Sequence, residues 1–150
     1  MLEPGDKAPA FKLSSTSGGE TSLKDLRGRK VVLYFYPKDQ TPGCTRESCN
    51  FQDNLTPIRR AGAEVLGVSK DSLASHDRFR DKYNLVFDLL SDPDNSVATA
   101  YGAYGEKTMY GRKVMGTIRS TYLIDEKGKI EAVWSPCVTF KATKYSPASE

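Results

Sequence analysis

The longest unbroken apolar run in the chain is Val31-Val32-Leu33-Tyr34-Phe35-Tyr36, which stops against Pro37. A continuous stretch of β-branched and aromatic residues is what a strand covered on both faces needs, so this run predicts a central strand. Residues 63–69 repeat the pattern, and residues 87–90 are shorter but strand-like. Around these lie segments with apolar residues at helical spacing: 42–62, with a kink expected at Pro57, then 75–83 and 95–101. Ahead of the central run, residues 10–13 and 21–23 flank a Ser17-Gly18-Gly19 turn; near the other end, residues 120–125 and 130–134 flank Lys127-Gly128. Both read as antiparallel hairpins. Residues 102–105, Gly-Ala-Tyr-Gly, read as turns. The alternation βαβαβα running into a hairpin predicts a mixed sheet with helices on both faces. Residues 135–150 stand apart, because Val138, Phe140 and Ala142 alternate without helical period. The expected organisation is one α/β domain over 1–134 and a tail over 135–150.

Composition narrows the class. A chain of 150 residues with 38% hydrophobic and 27% charged residues fits one soluble globular domain. Its net charge of +3 is spread among acids, and no basic stripe of the kind that binds nucleic acid stands out. No window approaches the ~20 apolar residues of a membrane helix, and Met1-Leu2-Glu3-Pro4-Gly5-Asp6 does not read as a secretory leader, so a cytoplasmic location is expected, with neither nucleic acid nor membrane as partner. Three cysteines do not form the even, dense set of a secreted disulfide framework. In a reducing compartment they point to redox chemistry or metal binding.

Local sequence favours redox chemistry at Cys44. Proline suits the first position of a helix and threonine the cap before it, which makes Thr41 the N-cap and Pro42 the first helical residue. Cys44 then falls in the first turn, where N–H groups lack intrahelical acceptors and the helix dipole favours negative charge. Helix N-termini and nearby cations shift a cysteine toward its thiolate, the nucleophilic form. The competing reading is a buried, inert cysteine at a loop–helix junction.

Pro37-Lys38-Asp39-Gln40-Thr41-Pro42-Gly43-Cys44-Thr45 resembles the peroxidatic loop of the peroxiredoxins, in which proline, threonine or serine, and cysteine recur at this spacing. The continuation Cys44-Thr45-Arg46-Glu47-Ser48-Cys49 is similar to the bacterioferritin comigratory protein, or peroxiredoxin Q, subfamily, and Gly67-Val68-Ser69-Lys70-Asp71-Ser72 and residues 119–125 match in order. The resemblance spans roughly residues 3–134 and implies a thioredoxin-like fold and a thiol peroxidase. It implies that Cys44 attacks the peroxide, that Thr41 hydrogen-bonds sulfur and substrate, that Pro37 shields the pocket, and that Arg119 supplies a cation. Cys49 is implied to resolve the Cys44 sulfenic acid as a disulfide, re-reduced by thioredoxin or a similar thiol protein; no cofactor or metal is implied. Five residues of helix rise about 7.5 Å and turn about 140°, so the two cysteines face apart and this turn must unwind before they join.

Other features read as ordinary or as alternatives. His76, in Ser75-His76-Asp77-Arg78, reads as an exposed helix residue, and Lys12, Lys24, Arg27, Arg29 and Lys30 as solvated surface. Arg119 apart from the resemblance reads as a surface residue paired with an acid such as Asp125. A zinc site of Cys44, Cys49, Cys137 and His76 is the metal-binding alternative, and a non-catalytic interaction module is another. Relatives of this kind usually end in an amphipathic helix, which residues 135–140 do not resemble. A monomer is expected, with a dimer through an uncovered C-terminal region as the other possibility, and Cys137 has no assigned part.

Overall fold

The computed structural model describes residues 2–109 and 111–134, the side chains of Pro42, Thr108 and Met109 apart. The chain opens with the expected hairpin, β1 (Lys12–Ser15) and β2 (Glu20–Ser22). The apolar run becomes β3 (Lys30–Phe35), followed by α1 (Pro42–Asp53), α2 (Leu55–Arg60), β4 (Ala63–Ser69), α3 (Leu73–Tyr83), β5 (Asp88–Ser91) and α4 (Ser96–Ala100). Then come β6 (Tyr104–Met109), β7 (Arg112–Thr117), β8 (Ser120–Ile124) and β9 (Ile130–Trp134). One sheet takes the order β2-β1-β5-β4-β3-β8-β9, with β3 parallel to β4 and β4 to β5, and β8 antiparallel to β3.

Side chains of a strand alternate between faces, and β3 divides its residues between two cores accordingly. Val32, Tyr34 and Tyr36 pack with Cys44, Phe51, Ile58 and Phe79 under α1, α2 and α3. Val31, Leu33 and Phe35 pack on the other face with Phe11, Ala98, Tyr101 and Tyr122. The mixed sheet with helices on both faces is therefore as expected. Among the described residues, no helix is long and apolar enough to cross a membrane.

Four expectations need correction. The long helix breaks at Asn54 rather than kinking at Pro57. In a continuous helix the missing N–H of Pro57 would leave a carbonyl unpaired one turn earlier; a break at Asn54 puts Pro57 in the first turn of α2, where no N–H is needed. Residues 104–117 form a hairpin of their own, β6–β7, with Gly111 at φ 76° in the connection. Its strands were hidden because Arg112, Lys113, Val114 and Met115 are all exposed, so no alternation of apolar and polar residues marks β7. His76 is fully buried. It shares the core side of α3 with Phe79 and Tyr83, at i+3 and i+7, while Asp77 and Arg78 face outward. Lys30 is also less solvated than expected, its side chain 23% exposed and its Nζ 3.2 Å from Glu131 Oε1. The tail and Cys137 lie outside the described residues.

Candidate active site

The loop 36–41 carries the chain from the end of β3 to the start of α1. Thr41 occupies the N-cap position with extended backbone (φ −80°, ψ 151°) and Pro42 follows at the first helical position. The hydroxyl of Thr41 does not cap the helix; it donates to the Lys38 carbonyl at 2.9 Å. That spends its only proton, so toward anything else the Thr41 oxygen is an acceptor. Cys44 lies in the first turn as expected, at the positive end of the helix dipole, and is fully buried with a free thiol.

Arg119 approaches from the segment between β7 and β8, its side chain 21% exposed. It lies so close over α1 that a side chain at Gly43 would have its Cβ 2.9 Å from Arg119 Nη2. The acid that faces Arg119 is Glu47, one turn into α1 and fully buried, with Oε1 3.7 Å from Nη1; Asp125 instead accepts from its own turn at Lys127 and Lys129. At that separation the Glu47 contact is a charge pair without a hydrogen bond, and the buried Nη1 has no hydrogen-bond partner among the described residues. A buried guanidinium N–H left unpaired is costly, and such donors are what a site holds ready for developing negative charge.

Pro37, Thr41 and Arg119 meet on the wall of one pocket of about 600 Å³; Cys44, three residues after Thr41, is buried and does not line it. The β6–β7 hairpin forms the opposite side and contributes Lys107, whose Nζ donates to the Thr117 carbonyl at 2.7 Å. Burial first and the positive charge of Arg119 second pull the Lys107 ammonium below the usual lysine range, with Cys44 acting in the opposite sense. Lys107 was missed in the sequence because the hairpin that brings it here was missed; its only signal was a lone lysine between glycines. Gly116 is part of the same construction, since a Cβ there would lie 2.9 Å from Lys107 Cε.

Cys49 sits farther along α1, half-buried and free. Burial and then the Asp53 carboxylate, one turn on, push its thiol above the usual cysteine value. Unbroken helix runs through both cysteines, so the geometry that keeps them apart holds. His76 is joined by Asp39 and Asp71 rather than by either cysteine, and these three form the one cluster with metal-ligand spacing among the described residues. The grouping of Cys44, Cys49 and His76 that the zinc alternative required is thus not formed, and Cys137 lies outside the described residues.

Residues 4–133 match the AhpC/TSA family. Peroxiredoxin Bcp of Escherichia coli is 44% identical over 133 residues, which cover 89% of this chain and 85% of that one. The solved structure of Xanthomonas campestris bacterioferritin comigratory protein, described for its alkyl peroxide reduction activity, is similar at a TM-score of 0.81 and 38% identity over 99% of this chain and 92% of that one. Peroxidoxin BcpB of Mycobacterium tuberculosis is similar at 0.82 and 31% identity, over 95% and 91%. With the match running nearly end to end through both the sheet and the cysteine loop, the chain belongs to the AhpC/TSA family, among its Bcp and Q-type peroxiredoxins, and is an oxidoreductase of the peroxidase kind.

Proposed function

We propose that the chain reduces hydrogen peroxide and organic hydroperoxides with Cys44 as nucleophile and Cys49 as resolving thiol. The observation that carries this reading is a buried cysteine in the first turn of a helix whose start lies under the Arg119 guanidinium, with Arg119, Pro37 and Thr41 together on the pocket wall. The Cys44 thiolate attacks the terminal oxygen; the O–O bond breaks, sulfur takes up the hydroxyl as sulfenic acid, and the alkoxide or hydroxide leaves to be protonated. Arg119 stabilises charge on that leaving oxygen. Thr41 accepts a hydrogen bond from the incoming hydroperoxide, and Pro37 limits water. Alkyl peroxide reduction by the Xanthomonas relative supports the substrate class.

Cys49 then displaces water from the sulfenic sulfur to give a Cys44–Cys49 disulfide. This step requires α1 to unwind, and the break at Asn54 lets it do so while α2 stays anchored through Leu55 and Ile58. A thioredoxin or similar dithiol protein reduces the disulfide by exchange. The test is peroxide consumption coupled to thioredoxin and its reductase. Cys44→Ser is expected to abolish turnover, Cys49→Ser to abolish or slow donor-dependent turnover, and Cys137→Ser to change little. Full activity in Cys44→Ser would overturn the assignment, and so would thioredoxin-dependent turnover unaffected by Cys49→Ser.

A further inference from the structure

The loop that sets Pro37 and Thr41 over Cys44 passes through Gln40 at φ 62°, a conformation side chains seldom adopt, so something must hold it. That anchor is Asp39, only 5% exposed. Its carboxylate accepts from Tyr36 Oη at 2.5 Å and Ser75 Oγ at 2.9 Å and meets His76 Nδ1 at 2.7 Å, while its N–H donates to Asp71 Oδ2 at 2.8 Å. His76, fully buried, places its other ring nitrogen, Nε2, 3.0 Å from the Leu90 carbonyl. A carbonyl only accepts, so Nε2 carries a proton, and the short contact between Nδ1 and the carboxylate needs a second proton between them. The pair is then neutral as a unit, which is how a buried carboxylate is tolerated. Burial pushes the Tyr36 phenol well above its usual value, so it remains a donor to Asp39. Neither Asp39 nor His76 lines the pocket.

We propose that Asp39 and His76 are a positioning pair for the peroxide reaction: a buried tether that ties loop 36–41 to α3 and β5 and so fixes Pro37 and Thr41 against Arg119. This rests on the reading of Cys44 as the peroxidatic thiol. The pair touches no substrate; it acts by keeping the loop in one conformation. A shift of about 1 Å in groups that position a reactant costs roughly a hundredfold in rate. Thiolate formation at the helix N-terminus needs no such alignment, so reactivity toward peroxide and toward a simple alkylating agent should separate.

The experiment uses the full chain in a Cys49→Ser/Cys137→Ser background, where Cys44 alone reports, and compares its oxidation by hydrogen peroxide with its alkylation by iodoacetamide at the same pH. Asp39→Ala and His76→Ala are each expected to slow oxidation about a hundredfold while alkylation changes less than about threefold. The double alanine variant should be no slower than the worse single one, because the two residues act as one unit. Asp39→Asn should recover most of the rate, since an asparagine amide can donate to a neutral His76. If the alanine variants do not fold, His76→Gln takes their place, reaching for Leu90 but releasing Asp39, with about a tenfold loss of oxidation expected and alkylation unchanged. Oxidation and alkylation falling together, or oxidation unaffected in folded variants, would overturn the proposal. A parent protein whose Cys44 is not oxidised by peroxide would overturn the underlying reading first, and the proposal with it.

Discussion

Gly43 offers the sharpest test of how tightly Arg119 is fitted over the helix that holds Cys44. Gly43→Ala puts a methyl group 2.9 Å from Arg119 Nη2, 3.3 Å from Cζ and 3.7 Å from Nη1. Real Cβ contacts are not this short, and the yielding part is the end of a long, flexible side chain rather than the backbone. Arg119 therefore moves while the backbone holds, and any loosening of its charge pair with the buried Glu47 works against what the helix gains. Gly43 has no positive φ to protect, and alanine in a helix is favoured over glycine by up to about 1 kcal/mol. A gain of that size raises Tm by about 2–4 °C in a chain of this length. Activity should go the other way: losing one preorganised donor at a developing anion costs about 100- to 1,000-fold, and partial displacement of the guanidinium should cost at least about tenfold. The assay is the second-order rate of Cys44 oxidation by hydrogen peroxide, read beside the thermal midpoint and repeated in an Arg119→Ala background. If the methyl group acts through Arg119, it should add almost nothing there. A Gly43→Ala protein with the parent oxidation rate would refute the reasoning, as would a full further loss on top of Arg119→Ala.

Three more outcomes follow. Ser48→Ala removes the buried bond between Ser48 and Tyr34 Oη, 2.8 Å long, and should cost about 1–3 kcal/mol by leaving the phenol unpaired. If α1 unwinds before the disulfide forms, each kcal/mol lost there speeds Cys44–Cys49 joining by up to about fivefold, which rapid-quench thiol counting would detect; an unchanged rate in a destabilised protein argues against unwinding. In a Cys44→Ser/Cys137→Ser protein, alkylation of Cys49 should be slow at neutral pH and rise to a midpoint above that of an ordinary cysteine, because its raised pKa disfavours the thiolate; Asp53→Asn should bring the midpoint down. Gly67→Ala in β4 would put a Cβ 2.7 Å from both Leu89 Cδ2 and the Tyr34 ring, and overpacking of this kind should cost about 1–3 kcal/mol in denaturant unfolding.

The sequence carried the sheet because β3 is buried from Val31 to Phe35 and so is written as continuous apolar residues, while β4 and β8 keep apolar or β-branched residues at most of their buried positions. The position of Cys44 was legible for a local reason: threonine, proline and glycine in a row specify a helix start. What escaped is what depends on tertiary contact. The outer half of β7 is exposed on both faces and carries no strand periodicity, so Lys107 on its partner β6 reached the pocket unannounced. His76 looked exposed because burial of a polar residue is decided by its partners, and Asp39 and Leu90 lie far from it in sequence. Arg119 was placed in the site by resemblance alone; its approach to Gly43 and its charge pair with Glu47 belong to the fold.

If Cys44 and Cys49 work as proposed, the same helix must be rigid when peroxide arrives and must let go when the sulfenic acid is resolved. Its attachments suggest how both are met. At the N-terminal end, the loop is held by Asp39 and the first turn lies under Arg119, so Cys44 is fixed from outside the helix. In its middle, Ser48 and Phe51 are held from β3 by Tyr34, with ring centroids of Phe51 and Tyr34 4.6 Å apart. At the C-terminal end, the break at Asn54 separates α1 from α2. Unwinding therefore releases Phe51, the Ser48–Tyr34 hydroxyl pair, and in the first turns the buried Cys44 and the Glu47–Arg119 charge pair, but not the helices α2 and α3. Burial of a phenylalanine side chain is worth about 1.5–3 kcal/mol, which keeps α1 closed in the reduced protein and leaves the opening accessible. Phe51→Leu should shift that balance toward opening while retaining an apolar filler, giving faster disulfide formation and slower peroxide reaction at nearly unchanged global unfolding of the sheet. Faster disulfide formation without any loss of helix protection in hydrogen exchange would show that the cysteines meet by another route.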